Sequence, residues 1–396
     1  MVTTIGNYVV KKKKKKTKNK RKIQRGGDAE GDLERQINNG YNIINLSIGT
    51  SNHFVKVLQN TDGITPTLAS ADGFLGQGAY GVVKHRTFDE CPYAFKIPKF
   101  PDCANWATMK GPQRDAIISR IHQLYKDTFQ ELDICLILQS RSKVERGGTE
   151  SMMRAGGNHA LEEDELKTIS PPHPNIAQLK ILILQRPTLP VLGLALAMGG
   201  ALDKQLYEEK WKPEPRHIIQ FIKEIGGALD HLHTAYNMNG PVVPILHRDL
   251  KSPNVLLTAP PESDFSFQLT DFGLARRKGM DPRGTVSMSG CGSGRWMAPE
   301  IWLGDIYNEK VDIFSFAMTI LEMVSQKLPW DELPREERLT LGFIVANRRF
   351  RPDTQLNNPD NTQVDDRVKE LIRNCWEPLH SNRPTAAECV AKVKGL

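Results

Sequence analysis

Two polar motifs, each set against a strand-like run, constrain this chain more than any other feature. His247-Arg248-Asp249-Leu250-Lys251-Ser252-Pro253-Asn254 leads into Val255-Leu256-Leu257, and Asp271-Phe272-Gly273 follows Phe265-Ser266-Phe267-Gln268-Leu269-Thr270. Asp-Phe-Gly alone is an ordinary turn; its place behind the first motif gives it weight. An aspartate at 249 can orient a substrate hydroxyl and accept its proton. Asn254 and Asp271 can hold the divalent ions that neutralise charge on a transferring phosphoryl group.

Length and charge set the frame. The 396 residues suffice for one two-lobed domain of roughly 250 to 300 residues with additions. Lys and Arg number 53 against 46 Asp and Glu, a net charge of +7, yet Lys11 to Arg25 alone holds eleven basic side chains and no acid. The remaining 42 basic residues face those 46 acids, a balance of −4, so the high pI belongs to a tail. A polyanion or nuclear-import contact is therefore expected through Lys11 to Arg25 alone. None of Cys91, Cys103, Cys135, Cys291, Cys375 and Cys389 falls in a Cys-x-x-Cys pair or a zinc-like spacing with histidine, which points to reduced thiols. Met1 to Val10 lacks an apolar signal core, and the most apolar stretch, Val191 to Leu202, is too short to span a bilayer. The expectation is a soluble protein of the cytoplasm or nucleus.

Along the chain, residues 1–40 read as a disordered lysine-rich tail and 41–67 as an N-terminal extension with two short β-like runs. From Phe74 the pattern is strand, glycine turn, strand, and strand again through Tyr93-Ala94-Phe95-Lys96-Ile97, a small antiparallel sheet. Pro112 to Leu138 has helical spacing with Pro in the first turn. An insertion lies within 139–170, where Ser140 to Gly157 is rich in Gly, Ser and Arg. Beyond Asp271 the pattern is mainly helical: Val311 to Val324, Asp365 to Trp376 and Thr385 to Val393 each carry helix-like apolar spacing.

Leu75-Gly76-Gln77-Gly78-Ala79-Tyr80-Gly81-Val82-Val83 has the glycine spacing of a hairpin whose backbone approaches nucleotide phosphates, with Val83 set towards adenine. Strand alternation puts Ala94 and Lys96 on one face, so the ammonium reaches phosphates while Ala94 lies beneath the purine. An acid on the next helix should hold Lys96 by a charge-assisted bond. Glu131 is favoured because its helix is long and starts with proline; Glu163 and Glu165 remain alternatives in an acidic run. Lys251 can reach the γ-phosphate and favours a serine or threonine acceptor, while His247 reads as a packed structural residue.

These residues resemble the eukaryotic protein kinase family over about Phe74 to Lys394. Ala298-Pro299-Glu300 is similar to the end of the activation segment, Asp312 to the buried helix anchor, and Arg383 to the partner of Glu300. Pro244 to Asn254, Trp296-Met297-Ala298-Pro299-Glu300 and Asn374-Cys375-Trp376 are similar to the tyrosine-kinase-like group, especially mixed-lineage serine/threonine kinases. The resemblance implies an α+β bilobal fold over 68–394: an N-lobe of about 68–194, with a small antiparallel sheet and one main helix, and a mostly helical C-lobe of about 198–394. It implies ATP with Mg2+ or Mn2+, protein substrates and a role in signalling. Asp249, Lys251, Asn254, Lys96 and Glu131 are the implied catalytic set, with Asn254 and Asp271 as metal ligands. Leu194, Ala197 and Leu256 complete the nucleotide contacts.

Ser293 falls where the family places a small hydroxyl supporting Asp249 and Lys251. Thr285, Ser287 and Ser289 lie in the segment such enzymes order by phosphorylation, where added phosphate would pair with Arg248, Arg276 or Arg277. The chain departs from the pattern in its insertion, in a hinge of Leu194-Ala195-Leu196-Ala197 without the usual acid, and in Ala317 at a familiar glycine position. A pseudokinase scaffold and a dual-specificity kinase are the alternative readings.

Overall fold

A computed structural model describes residues 56–59, 73–77, 81–101, 111–140, 172–184, 189–234, 243–277, 293–338, 340–347, 351–352 and 364–396. The lysine-rich tail, the first β-like run near Tyr41, most of the insertion, Glu163 and Glu165, the glycine-loop tip Gly78-Ala79-Tyr80, and Thr285, Ser287 and Ser289 lie outside them. The chain divides into two compact units, Met1–Leu136 with Gln178–Leu196, and Ile137–Ala177 with Ala197–Leu396.

The first unit is built on a six-stranded sheet of β1 (Lys56–Gln59), β2 (Phe74–Gln77), β3 (Gly81–Phe88), β4 (Cys91–Pro98), β5 (Leu179–Leu184) and β6 (Val191–Ala195), in spatial order β1-β5-β6-β4-β3-β2. The expected antiparallel strands are joined at one edge by β1, which runs parallel to β5 with Lys56 opposite Ile181. Asp89 and Glu90 both take positive φ, 48° and 61°, and close the β3–β4 hairpin with the twist that favours a tight two-residue turn. Alternation along β4 sends Phe95 into a core with Ile181, Ile183 and Val191. Gly193 sits in β6 because a Cβ there would meet the Phe95 ring at 2.8 Å and Ile181 at 2.9 Å.

Helix α1 (Gly111–Ser140) carries Pro112 in its first turn, where a missing N–H costs nothing. Its early residues are mostly exposed, and burial grows along it until Leu132 and Leu136 are wholly enclosed. Leu124 and Tyr125 pack with Leu189, Phe100, Ile121 and Phe129.

In the second unit, β7 (Gly200–Ala201) leads directly into α2 (Leu202–Tyr207), and α3 (Pro215–Thr234) follows. Two short pairings come next: β8 (Ile245–Leu246) with β11 (Arg276–Arg277), and β9 (Val255–Leu257) with β10 (Phe267–Leu269), both antiparallel. Helices α4 (Pro299–Leu303), α5 (Lys310–Ser325), α6 (Arg335–Arg338), α7 (Leu341–Asn347), α8 (Asp366–Cys375) and α9 (Ala386–Lys392) complete it. The three C-terminal helices expected from apolar spacing are α5, α8 and α9, each within a residue or two of the expected bounds. Thr385 begins α9 with a capping box to Glu388. Helix α5 is buried from Val311 to Val324, as an apolar-all-round helix must be. Gly226 lets α3 approach it and α9: a Cβ there would lie 2.7 Å from Val390. Among the described residues no helix is long and apolar enough to cross a membrane.

Candidate active site

The two pairings β8·β11 and β9·β10 bracket both motifs that dominate the sequence. Leu246 opposite Arg276 anchors one side of the loops; Val255 opposite Leu269 anchors the other. Between these clamps run residues 247–254 and 270–275, so Asp249, Lys251, Asn254 and Asp271 are gathered by backbone pairing. The Thr270 N–H donates to the Asn254 carbonyl at 3.0 Å, which fixes the two loops side by side.

Asp249 is 9% exposed. Its Oδ2 accepts from Lys251 Nζ at 2.8 Å and from Asn254 Nδ2 at 3.0 Å, and its carbonyl accepts a second Asn254 contact at 2.7 Å. With Oδ2 engaged by two donors, Oδ1 is the oxygen available to a substrate hydroxyl. The Asn254 amide nitrogen is committed to Asp249, which turns its carboxamide oxygen into the atom for a cation. Asp271 takes a left-handed backbone, φ 62°, and its carboxylate accepts from the Gly273 N–H at 3.4 Å. An aspartate in that conformation re-aims its carboxylate within a tight turn. Carboxylate and carboxamide oxygens suit a hard divalent ion such as Mg2+ or Mn2+. Among the described residues there is no cluster of three His, Cys, Asp or Glu fit to hold a metal alone. Mg2+ does not need one, because it keeps waters and takes phosphate oxygens.

A deeper layer orients this loop. Asp312, at the start of α5, is fully buried and accepts from the His247 N–H at 2.8 Å, the Arg248 N–H at 2.7 Å and His233 Nε2 at 2.9 Å. Burial pushes its carboxyl up, but the His233 bond and charge, with His247 and the Arg248 amide, more than offset that and hold it below the ordinary range. These bonds stabilise Arg248 at φ 69°, a strained value for a non-glycine residue. His247 is wholly enclosed, with its ring edge-on to Phe272 at 5.2 Å. Its Nε2 lies 3.0 Å from the Thr270 carbonyl and must donate, which leaves Nδ1 to accept from the Asp249 N–H at 3.3 Å. It is thus a strut for Asp249. The Arg248 guanidinium lies over the Tyr307 ring at 5.7 Å.

In the first unit, Val83 pairs with Lys96 across β3 and β4, and Ala94 pairs with Leu194 of β6, so these four share one sheet face. Lys96 Nζ meets both Glu131 oxygens, at 2.7 and 2.8 Å, with the side chains 16% and 7% exposed. Glu131 lies where α1 has become buried. A Cβ on Gly81 would sit 2.6 Å from the Ile97 carbonyl, so glycine is required where β3 begins, whereas Gly76 opens onto free space. Leu75 and Gln77 lie on β2, Leu256 on β9 opposite Gln268, and Ala197 in the second unit. Ser293 opens a 3-10 turn, Ser293–Trp296, and its hydroxyl is outside the described side chains.

Replacing Glu131 by Gln is expected to weaken nucleotide-dependent activity by about tenfold or more, because a charge-assisted pair becomes a neutral bond and Lys96 loses its restraint. Titrating the variant with ATP and measuring both KM and kcat checks this; unchanged constants would remove Glu131 from the site.

Sequence reasoning missed His233, which bonds to Asp312, and Glu322, which is wholly buried and accepts from Ser252, Tyr207 and Trp296. Glu322 left one signal, an acid between Leu321 and Met323 in an otherwise apolar helix.

The family model described as protein kinase domain matches residues 143–393. Mitogen-activated protein kinase kinase kinase 11 of Homo sapiens is 29% identical over 228 residues, covering 57% of this chain and 24% of that protein. Dual specificity protein kinase pyk3 of Dictyostelium discoideum is 28% identical over 245 residues, 60% of this chain and 16% of that protein. Probable serine/threonine-protein kinase SIS8 of Arabidopsis thaliana is 29% identical over 225 residues, 57% and 20%. The chain spans a quarter or less of the length of these relatives. The family match begins after α1, so the Lys96–Glu131 pair stands on its own geometry.

Proposed function

The chain belongs to the protein kinase domain family, and from that membership we propose that it transfers the γ-phosphoryl group of ATP to serine and threonine hydroxyls of proteins. The observation that carries the reading is Asp249, held on one oxygen by Lys251 and Asn254 with the other oxygen left to accept a proton. In the transfer, the acceptor oxygen forms its bond to the γ-phosphorus and gives its proton to Asp249. The bond from the γ-phosphorus to the bridging oxygen breaks, and ADP leaves. Lys251 offsets charge on the transferring group, and Lys96, restrained by Glu131, orients the other phosphates. Asn254 and Asp271 would hold a divalent ion, which supplies charge neutralisation at the phosphates. In the first unit Leu75, Val83, Ala94 and Leu194 supply apolar area of the kind that receives a purine.

Incubating the protein with γ-labelled ATP, Mg2+ and a generic protein acceptor, then separating phosphoamino acids, tests the reading. Phosphoserine and phosphothreonine are the expected products. Phosphotyrosine in comparable yield would favour the dual-specificity reading, which the name of the Dictyostelium relative motivates. No transfer at all, in a folded preparation that binds ATP, would make the chain a scaffold.

A further inference from the structure

We propose that Cys375 and Cys389 form a redox modification site, at which a peroxide converts the two thiols to a disulfide that staples α8 to α9 around the loop carrying Arg383. Among the described residues Cys91, Cys135, Cys375 and Cys389 are free thiols. Cys375 and Cys389 are wholly enclosed, 14 positions apart in sequence, and their sulfurs lie 3.4 Å from each other.

The surroundings fit the pair for a bond. A disulfide holds its sulfurs about 2.05 Å apart, so these two need to approach by about 1.4 Å. Cys375 is the last residue of α8, and Trp376 after it has left helical geometry with ψ 16°, so the side chain can shift without breaking a helix interior. Cys389 lies in the middle of α9, whose start is fixed by the Thr385–Glu388 capping box. At the far end of α9, Lys392 Nζ reaches Glu370 Oε1 of α8 at 2.6 Å. Contacts that do not involve sulfur therefore hold the thiols together, and the second step of their oxidation needs no search.

Burial sets the rate. It pushes the Cys375 thiol well up, and Cys389 adds to this, while the charges of Arg383 and Lys310 pull the other way without offsetting it. The closed pair is therefore slow to react, and a thiolate forms when α9 lifts. That thiolate attacks the peroxide oxygen; the O–O bond breaks, giving a sulfenic acid and a hydroxide that takes up the thiol's proton. When α9 returns, the second sulfur bonds to the first, the S–O bond breaks, and the oxygen leaves as water with the second thiol's proton. Two thiols are oxidised by two electrons and the peroxide is reduced to two waters.

The loop so closed, 376–388, contains Arg383, which pairs with Glu300 and donates to the Glu377 and Pro378 carbonyls of the same loop. Joining its ends restricts the unfolded chain, so the oxidised protein should lose this layer less often.

Treating the folded full chain with hydrogen peroxide, then unfolding, alkylating and mapping peptides by mass, tests the site without requiring phosphoryl transfer. The expected product is a peptide pair joined through 375 and 389, lighter than its parts by two hydrogens and separated by a dithiol reductant. In urea the joined protein should have an unfolding equilibrium constant about a hundredfold below that of the reduced form, as closing a loop of this length implies. Cys375→Ala and Cys389→Ala should each abolish the linkage and the gain; should either fail to fold, the map of the parent decides alone. Both thiols alkylated after peroxide treatment, a sulfinic acid at either position without linkage, or linkage of either to another cysteine overturns the proposal. So does a joined protein that unfolds as readily as the reduced one.

Discussion

Asp249→Asn is expected to lower the turnover number by about a hundredfold to ten-thousandfold, the range over which a positioned general base contributes. The substitution preserves size and one acceptor oxygen for Lys251 or Asn254, so the loop keeps its main bonds. It removes the anionic oxygen that would take the acceptor proton. Nucleotide affinity should change little, because Asp249 faces the acceptor, whereas Lys96, Asn254 and Asp271 are the groups suited to phosphates and metal. Single-turnover transfer measured beside ATP binding by calorimetry separates the two. A rate within tenfold of the parent would show that Asp249 is not the base.

Breaking the ion pair between Glu300 and Arg383 should produce the largest loss of stability. Arg383 is 1% exposed, and its Nη1 and Nη2 meet Glu300 Oε1 and Oε2 at 2.6 and 2.9 Å. The same guanidinium donates to the carbonyls of Lys310, Glu377 and Pro378 and lies 5.1 Å over the Phe314 ring. Arg383→Leu therefore leaves a buried carboxylate uncompensated and several carbonyls without a donor, a cost of about 3 to 5 kcal/mol. Arg351, on the same Phe314 ring and pushed down to about 10 by burial and by Arg383, cannot replace it without leaving the Trp376 carbonyl. Denaturant unfolding of the single and double variants checks this. The double variant Glu300→Leu with Arg383→Leu should recover part of the loss, because no lone buried charge remains. A single-variant loss below about 1 kcal/mol would mean that the pair is effectively solvated.

Much of the site was legible because its chemistry is local. Asp249, Lys251 and Asn254 lie within one short motif, and Asp271 follows at the end of the next strand, so residue type and order suffice to name them. Lys96 was legible from strand alternation. Glu131 was harder: its claim rested on helix length and a proline, and its direct contact with Lys96 depends on how α1 lies against β4. The same is true of Asp312. Its place in the sequence marks a helix start, but its role as acceptor for His247, Arg248 and His233 requires α3, α5 and the loop to meet. β1 was partly legible, since Lys56–Gln59 falls within the 41–67 extension with its two short β-like runs, but its place at the sheet edge and its parallel register with β5 were not, since period-two alternation carries no direction.

What the sequence determined by itself is the inventory and the local form: which side chains can accept a proton, neutralise phosphate or bind a hard cation, and which stretches are strands or amphipathic helices. Those follow from side-chain chemistry and from periods of two and 3.6 residues. The tertiary structure decided the groupings: it brought Lys96 to Glu131, the acid favoured over Glu163 and Glu165, and Arg383 to Glu300, the partner the family resemblance implied, and it alone set Asp312 beneath the loop and Glu322 between Ser252, Tyr207 and Trp296. The reason is physical. A buried charge or donor must find its partners wherever packing brings them, and the partners here are separated by tens of residues whose spacing says nothing about their meeting.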